Sequence, residues 1–320
     1  MNFTIYGIIA STFLYPSSFI HFTPKSETFH ISSSRFHNFF SPVFYINSEI
    51  KKQSFSFYDQ HFLNAKAVKV CCRENKINHC TKTKDSKLNH QDLNTICIDF
   101  IKCRFIKCTS KENGGAVDVS FGNTTFIYCV FEHCNSQFGG TIYSSRSKLF
   151  VVNYTTIYDS SAERFGTMYC DSKRREFSTN ISNTNITKSV GTLYIAGIRV
   201  ETTRPNFQYL KIINTYSPSF GAIWDWSTKP TTAIYYKCDF VNNSSETPGS
   251  AITLYHWLHQ SQILHCSFSS GKGPDPYYVY LYSSECEVLI ENCKFDQPKN
   301  VSVGSRYVGN NITFTDNIFS

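Results

Sequence analysis

The sequence predicts an all-β solenoid whose coils repeat every 26–29 residues. Three observations carry this reading: two columns of large apolar residues at that period, a glycine column beside them, and short β-rich runs with few helix-period patterns. With coil starts at Cys103, Cys129, Thr155, Thr184, Leu210, Cys238, Cys266 and Cys293, the spacings are 26, 26, 29, 26, 28, 28 and 27 residues. Two positions on stand Phe105, Phe131, Ile157, Ile186, Ile212, Phe240, Phe268 and Phe295. Three positions before each start stand Phe100, Phe126, Val152, Ile181, Phe207, Tyr235, Ile263 and Ile290. All sixteen are large and apolar in a chain that is 41% hydrophobic, so the period belongs to the backbone and not to composition.

The third column holds Gly115, Gly140, Gly166, Gly191, Gly221 and Gly249, in the strings GGAV, GGTIY, FGTMY, VGTLY, FGAIW and PGSAI. Glycine ahead of a short alternating stretch suits a tight turn feeding a strand, because it takes positive φ without steric cost. Coils stacked at about 4.8 Å place equivalent side chains in ladders, which makes the Phe/Ile column at Phe105 to Phe295 a core ladder. About nine to eleven coils would form a rod on the order of 45–50 Å long. A leucine-rich repeat would show L-x-x-L-x-L, which is absent, and propeller blades need about 40 residues or more.

The repeat resembles the single-stranded right-handed parallel β-helix of the pectin-lyase-like superfamily. Within it, the alternation of GGA[IV] with F-x-x-N is similar to polymorphic outer-membrane proteins and to β-helix surface proteins of parasitic protists. GGAV (114–117), GGTI (139–142) and FVNN (240–243) match, while FIKC (105–108) and FEHC (131–134) put Cys in place of Asn, closer to the protist group. The resemblance covers residues 95–320 well and 28–94 poorly. It implies the fold and is nearly silent on function.

The expected organisation has three parts. Residues 1–30 are an N-terminal segment; MNFTIYGIIASTFLY carries an apolar run without a basic flank or a small-x-small cleavage site, an incomplete signal-peptide pattern. Residues 31–94 read as divergent first coils, with Phe36 in the apolar column, and a polar insertion or cap. Within 71–96 lie Cys71, Cys72, His79, Cys80 and His90; CC-x6-HC fits no four-ligand zinc pattern, so a surface loop is the reading beside a small zinc site. Residues 95–320 hold the repeats, and ITFTDNIF (312–319) matches VLIENCKF (288–295) as an incomplete last coil. An uncovered coil favours end-to-end self-association.

The net charge of +7 comes without a basic stripe, so nucleic acid is not an expected partner. No stretch of 18 apolar residues occurs, and no transmembrane helix is expected. Nine N-x-S/T sequons stand at Asn2, Asn123, Asn153, Asn180, Asn185, Asn242, Asn243, Asn300 and Asn311, an excess that points towards a secreted glycoprotein.

Thirteen cysteines leave at least one unpaired. Cys103, Cys129, Cys238, Cys266 and Cys293 share a column with Thr and Leu, which suits small buried side chains. Disulfides between adjacent coils, or a second bridge at Cys108/Cys134, are geometrically conceivable. Lyases and hydrolases on this fold need a concentrated set of carboxylates. His133 and Asp159 can meet across coils on a solvated face, while Asp118, Asp159, Asp225 and Asp239 fall in different columns. No catalytic residue, metal ligand or cofactor is therefore assigned. HWLH (256–259) reads as a wide loop.

Tyr143, Tyr169, Tyr194 and Trp224 stand three residues after successive column glycines. With Ile142, Met168, Leu193 and Ile223 pointing inward, this column points outward and could bind sugars or a protein; otherwise the rings only stabilise one another. The expected function is a non-enzymatic interaction or adhesion scaffold, extracellular or at the cell surface, meeting glycans or host and cell-surface proteins. The alternatives are a polysaccharide lyase or glycoside hydrolase on the same fold, and a degenerate fragment of a larger surface protein.

Overall fold

The computed structural model describes residues 2–13, 20–22, 28–39, 42–48, 53–65, 68–72, 96–120, 122–147, 149–171, 178–195, 197–201, 204–227, 231–256, 259–275 and 277–320. The chain is a right-handed parallel β-helix. Every strand pair is parallel, each strand bonding to its equivalent one coil earlier and one coil later. Two sheets of twelve strands run the length of the stack, from Asn2–Tyr6 to Asn311–Thr315 and from Ile9–Phe13 to Ile318–Phe319. A third sheet has eleven strands, from Ile20–Phe22 to Val303–Ser305, and a short fourth has six, from Thr109–Asn113 to Ser244–Ser245.

The two apolar columns line the interior. Phe105 pairs with Phe131, Phe131 with Ile157, and so on through Ile186, Ile212, Phe240, Phe268 and Phe295 to Phe319. The Phe100 column pairs likewise through Phe126, Val152, Ile181, Phe207, Tyr235, Ile263 and Ile290 to Phe314. The sixteen sequence-assigned members are all buried. Parallel register stacks their rings: Phe105 and Phe131 lie 4.6 Å apart at 4°, Phe100 and Phe126 4.8 Å apart at 6°. Each such side chain contributes about 1.5–3 kcal/mol on burial.

Both columns reach further toward the N-terminus than the periodicity alone indicates, through Phe62, Phe36 and Ala10 and through Phe57, Ile31 and Ile5. Phe57 pairs with Phe100, 43 residues on (100 − 57), where the other steps of this column take 24–29. The polar stretch 73–95, with His79, Cys80 and His90, lies between these two positions in sequence and outside the described residues. Trp257 and Leu258 of the HWLH string, between strands ending at His256 and beginning at His259, also lie outside them.

Two corners give the coil its shape, and both use the left-handed region, taken by Gly7 in the first coil and by non-glycine residues after it. Between the first and second sheets φ is positive at Lys102, Tyr128, Tyr154, Asn183, Tyr209, Lys237, His265, Asn292 and Asp316, each one residue before a coil start. The second corner repeats this at Lys107, His133, Asp159, Lys188, Asn214, Asn242 and Ser270. Such residues cost about 1–2 kcal/mol each. Backbone pairing offsets this: Lys102 N–H donates to Ile127 one coil on, and Arg104 N–H donates to Gln60 one coil back.

The cysteine column occupies the residue just after the first corner, and its role is polar. The Cys103 thiol donates to the Phe57 and Ile101 carbonyls, and Cys266 Sγ accepts the N–H of Cys238 at 3.4 Å. Thr155 and Thr184 donate to the equivalent carbonyls, and Asn317 accepts the Cys293 N–H at 2.8 Å. At the second corner Cys134, Ser160 and Asn243 do the same work. Cys97, Cys103, Cys108, Cys129, Cys134, Cys170, Cys238, Cys266 and Cys293 are free thiols.

The glycines divide into two kinds. Gly166, Gly221 and Gly249 take positive φ, but in the Gly-Gly strings that conformation belongs to Gly114 and Gly139. Gly115 and Gly140 serve close approach: a Cβ on Gly140 would meet the Ser161 carbonyl oxygen at 2.1 Å. Gly191 is not a turn glycine of this column. It pairs with Ala162 in the short fourth sheet; Gly197, one residue before the inward-facing Ile198, stands where other coils have Thr141, Thr167 and Ala222, and its carbonyl accepts the Met168 N–H.

Candidate functional site

The outer face of the third sheet carries the least repetitive chemistry on the molecule. Strands alternate, so Ile142, Met168, Ile198, Ile223 and Ile252 face the core while the next residue faces out. The outward column in true register reads Asp118, Tyr143, Tyr169, Arg199, Trp224, Thr253 and Tyr280. The coil from Met168 to Ile198 is the longest of this stretch, and its extra residues carry Tyr194 out of the column. Tyr194 is exposed, its neighbour Leu193 is exposed and not inward-facing, and Arg199 takes the rung between Tyr169 and Trp224.

The expected row of exposed rings is instead a graded one. Tyr143 is half-buried, whereas Tyr169 and Trp224 are 3% and 5% exposed. They are covered by one another and by rings entering from the side. Tyr143 and Tyr169 stack at 4.9 Å, Phe165 lies 5.1 Å from Tyr169, and Phe220 stacks on Trp224 at 4.2 Å. The strip continues through Trp226, Tyr255 and Tyr282 at successive centroid separations of 5.1 Å, with Arg306 over Tyr282.

Arg199 is the centre of the strip. Its guanidinium sits 4.0 Å from the Phe165 ring centre, 4.1 Å from Trp224 and 4.8 Å from Trp226, and pairs with Glu201. Contacts of a cation with desolvated aromatic faces are worth about 2 kcal/mol. Two buried donors, Arg199 Nε and Trp224 Nε1, have no hydrogen-bond partner among the described residues. A buried unpaired donor costs about 1–3 kcal/mol, so its retention calls for a reason.

The strip's other end is acidic. Asp171 and Glu201 are cross-strand neighbours, and Asp118 lies 3.9 Å from Lys69 Nζ. Burial, reinforced by Asp118, Asp171 and Glu201, pushes the Tyr143 phenol up to about 12, and burial raises Tyr169 further still. Asp225 faces the interior and accepts the Tyr235 hydroxyl at 2.8 Å. His133 and Asp159 do meet, at 2.9 Å, on the solvent-facing second corner. Among the described residues no group of three or more His, Cys, Asp or Glu is arranged to hold a metal ion, and no helix is long and apolar enough to cross a membrane.

No family model matches the chain, and comparison with curated proteins and with solved structures finds no significant match.

Sequence reasoning missed Arg199, Trp226, Tyr255 and Tyr282. Trp226 was findable, because it lies two residues from Trp224 on the same strand and therefore on the same face. Arg199 was hidden by the long coil, which displaces the glycine spacing used to align the column.

Proposed function

We propose that the chain is a non-enzymatic interaction scaffold that meets glycans or cell-surface proteins through the outer face of its third sheet. The observation that carries this is the aromatic strip from Tyr143 to Tyr282, built around Arg199 and holding two buried donors without partners among the described residues. Aromatic faces stack on sugar rings and anchor protein partners, and rigid sheets hold them in place. The strip does not repeat from coil to coil, as a surface under a binding requirement would not.

The finer relationship, to pectin-lyase-like proteins and to protist surface proteins in particular, belongs to this reading, as does an extracellular or cell-surface location. Of the nine sequons, Asn185, Asn242, Asn300 and Asn311 are exposed, while Asn243 is buried and bonded to Thr215. Mass spectrometry of the native protein should therefore find glycans among the exposed four and none at Asn243. Bare asparagines at all four would remove the extracellular placement.

Binding to a panel of neutral and acidic oligosaccharides, and to cell surfaces, tests the function. Trp226→Ala with Tyr255→Ala should abolish it, with a modest fall in the thermal midpoint because Trp226 packs on Arg199 and Trp224, and circular dichroism checks that the variant keeps its fold. Unchanged binding would sink the reading.

One observation favours a second reading, a carbohydrate-active enzyme. Asp171 and Glu201 sit on adjacent rungs of one face, and glycoside hydrolysis uses a pair of neighbouring carboxyls. Hydrolysis of a glycan panel that is lost in Asp171→Asn would establish it.

A further inference from the structure

A second site of different chemistry lies on the outer face of the second sheet, in the coils nearest the N-terminus, and does not rest on the aromatic strip. A cleft of about 320 Å³ is lined there by Arg35, His37, His61, Leu63, Arg104 and Ile106, with Phe62 at its floor. Register makes it orderly. Arg35 pairs with His61 and His61 with Arg104, so three basic side chains stand in one outward column on consecutive rungs, about 4.8 Å apart. The adjacent outward column on the same rungs reads His37, Leu63 and Ile106.

Like charges stacked at strand spacing repel, and cross-strand pairs of the same sign are destabilising. The repulsion is visible on His61, whose imidazole is lowered from its ordinary range by burial, opposed by Asp59 and then lowered further by Arg104, Arg35 and His37. Asp59, 3.9 Å from His61 Nε2, is the single carboxylate facing it among the described residues. Neither guanidinium enters an ion pair among the described residues. Arginine presents a planar fork matched to sulfate, phosphate and carboxylate oxygens.

We infer that this cleft binds the oxyanion groups of an acidic glycan, with Arg35, His61 and Arg104 holding sulfate or carboxylate oxygens and Leu63 and Ile106 meeting the apolar face of a sugar ring. The apolar shelf beside the cationic column is what distinguishes a glycan from a bare anion, since an inorganic ion has no use for it. Binding adds negative charge beside His61 and so favours its protonated form.

The test is calorimetric titration of the whole protein at low salt with two probes, a heparin-derived oligosaccharide and an oligogalacturonate, and with inorganic sulfate for comparison. At least one glycan should bind, more tightly than sulfate, and the probe that binds identifies the oxyanion. Its affinity should fall by roughly tenfold or more between about 50 and 500 mM salt, and by as much in Arg35→Gln with Arg104→Gln. Both arginines are exposed, so the double variant should keep its thermal midpoint. Independently, the His61 imidazole followed by NMR should titrate at higher pH with the glycan bound. Absence of binding by both glycans, equal affinity in the double variant, or an unmoved His61 titration would overturn the inference.

Discussion

The cysteine corner and the outer face of the third sheet are built from the same coils, yet one repeats and the other does not. At the corner most coils meet one problem in one way: a left-handed residue is followed by a side chain that satisfies neighbouring backbone groups, Leu210 after Tyr209 being an apolar exception. Cys103, Thr155, Thr184, Cys266 and Asn317 all solve it. On the outer face Asp118, Tyr143, Tyr169, Arg199, Trp224, Thr253 and Tyr280 share a column that mixes acidic, aromatic, basic and hydroxyl side chains. A column under a folding requirement converges, and a column free of it records something else. The difference separates scaffold from contact surface.

Perturbing the ladder should break the scaffold side of this comparison hardest. Phe131→Ala removes a ring stacked between Phe105 and the Ile157 rung, and should lower unfolding free energy by about 3–5 kcal/mol. Urea denaturation measures it; a loss no greater than that of a surface variant would refute the ladder's role. Cys266→Ala should cost about 1–3 kcal/mol, because the Cys238 N–H loses its acceptor. Cys266→Ser should cost less than Cys266→Ala, although both are smaller than cysteine. If the two variants are equal, the column is only small and apolar.

On the contact side, pH offers a finer probe. Tyr143 is raised in the folded protein to about 12, first by burial and then by Asp118, Asp171 and Glu201. The folded state therefore holds that proton more tightly than the unfolded chain, whose tyrosines titrate near pH 10. Its stabilising share is complete below about pH 10 and is lost as pH rises towards 12. Tyr143→Phe should flatten the alkaline decline of the thermal midpoint; an identical decline would remove Tyr143 from it.

The fold was legible in the sequence because Phe105, Phe131 and their successors face inward in every coil and leave little choice of residue. The corners were half legible. Cys, Thr and Leu in one column suggested mere smallness, since a thiol's hydrogen bonds to backbone carbonyls leave no mark in hydrophobicity. The aromatic face was legible at Tyr143, Tyr169 and Trp224 but misread at Tyr194. A period counted from Gly191 cannot register the longer coil that places Arg199 on that rung. Burial of Tyr169 and Trp224 was also out of reach, because Phe165 and Phe220 reach them from turns whose direction only the folded coil fixes.

The most direct test compares two aromatic groups on the same rod. Trp226 and Tyr255 belong to the strip, while Tyr128 and Tyr154 stack at 5.0 Å on the first corner, more than half exposed. Binding to the oligosaccharide panel and to cell surfaces is measured for Trp226→Ala with Tyr255→Ala and for Tyr128→Ala with Tyr154→Ala. Loss in the first pair and none in the second is the predicted result. Equal loss in both, or loss in the corner pair alone, would contradict the claim that the third sheet's outer face is the contact surface.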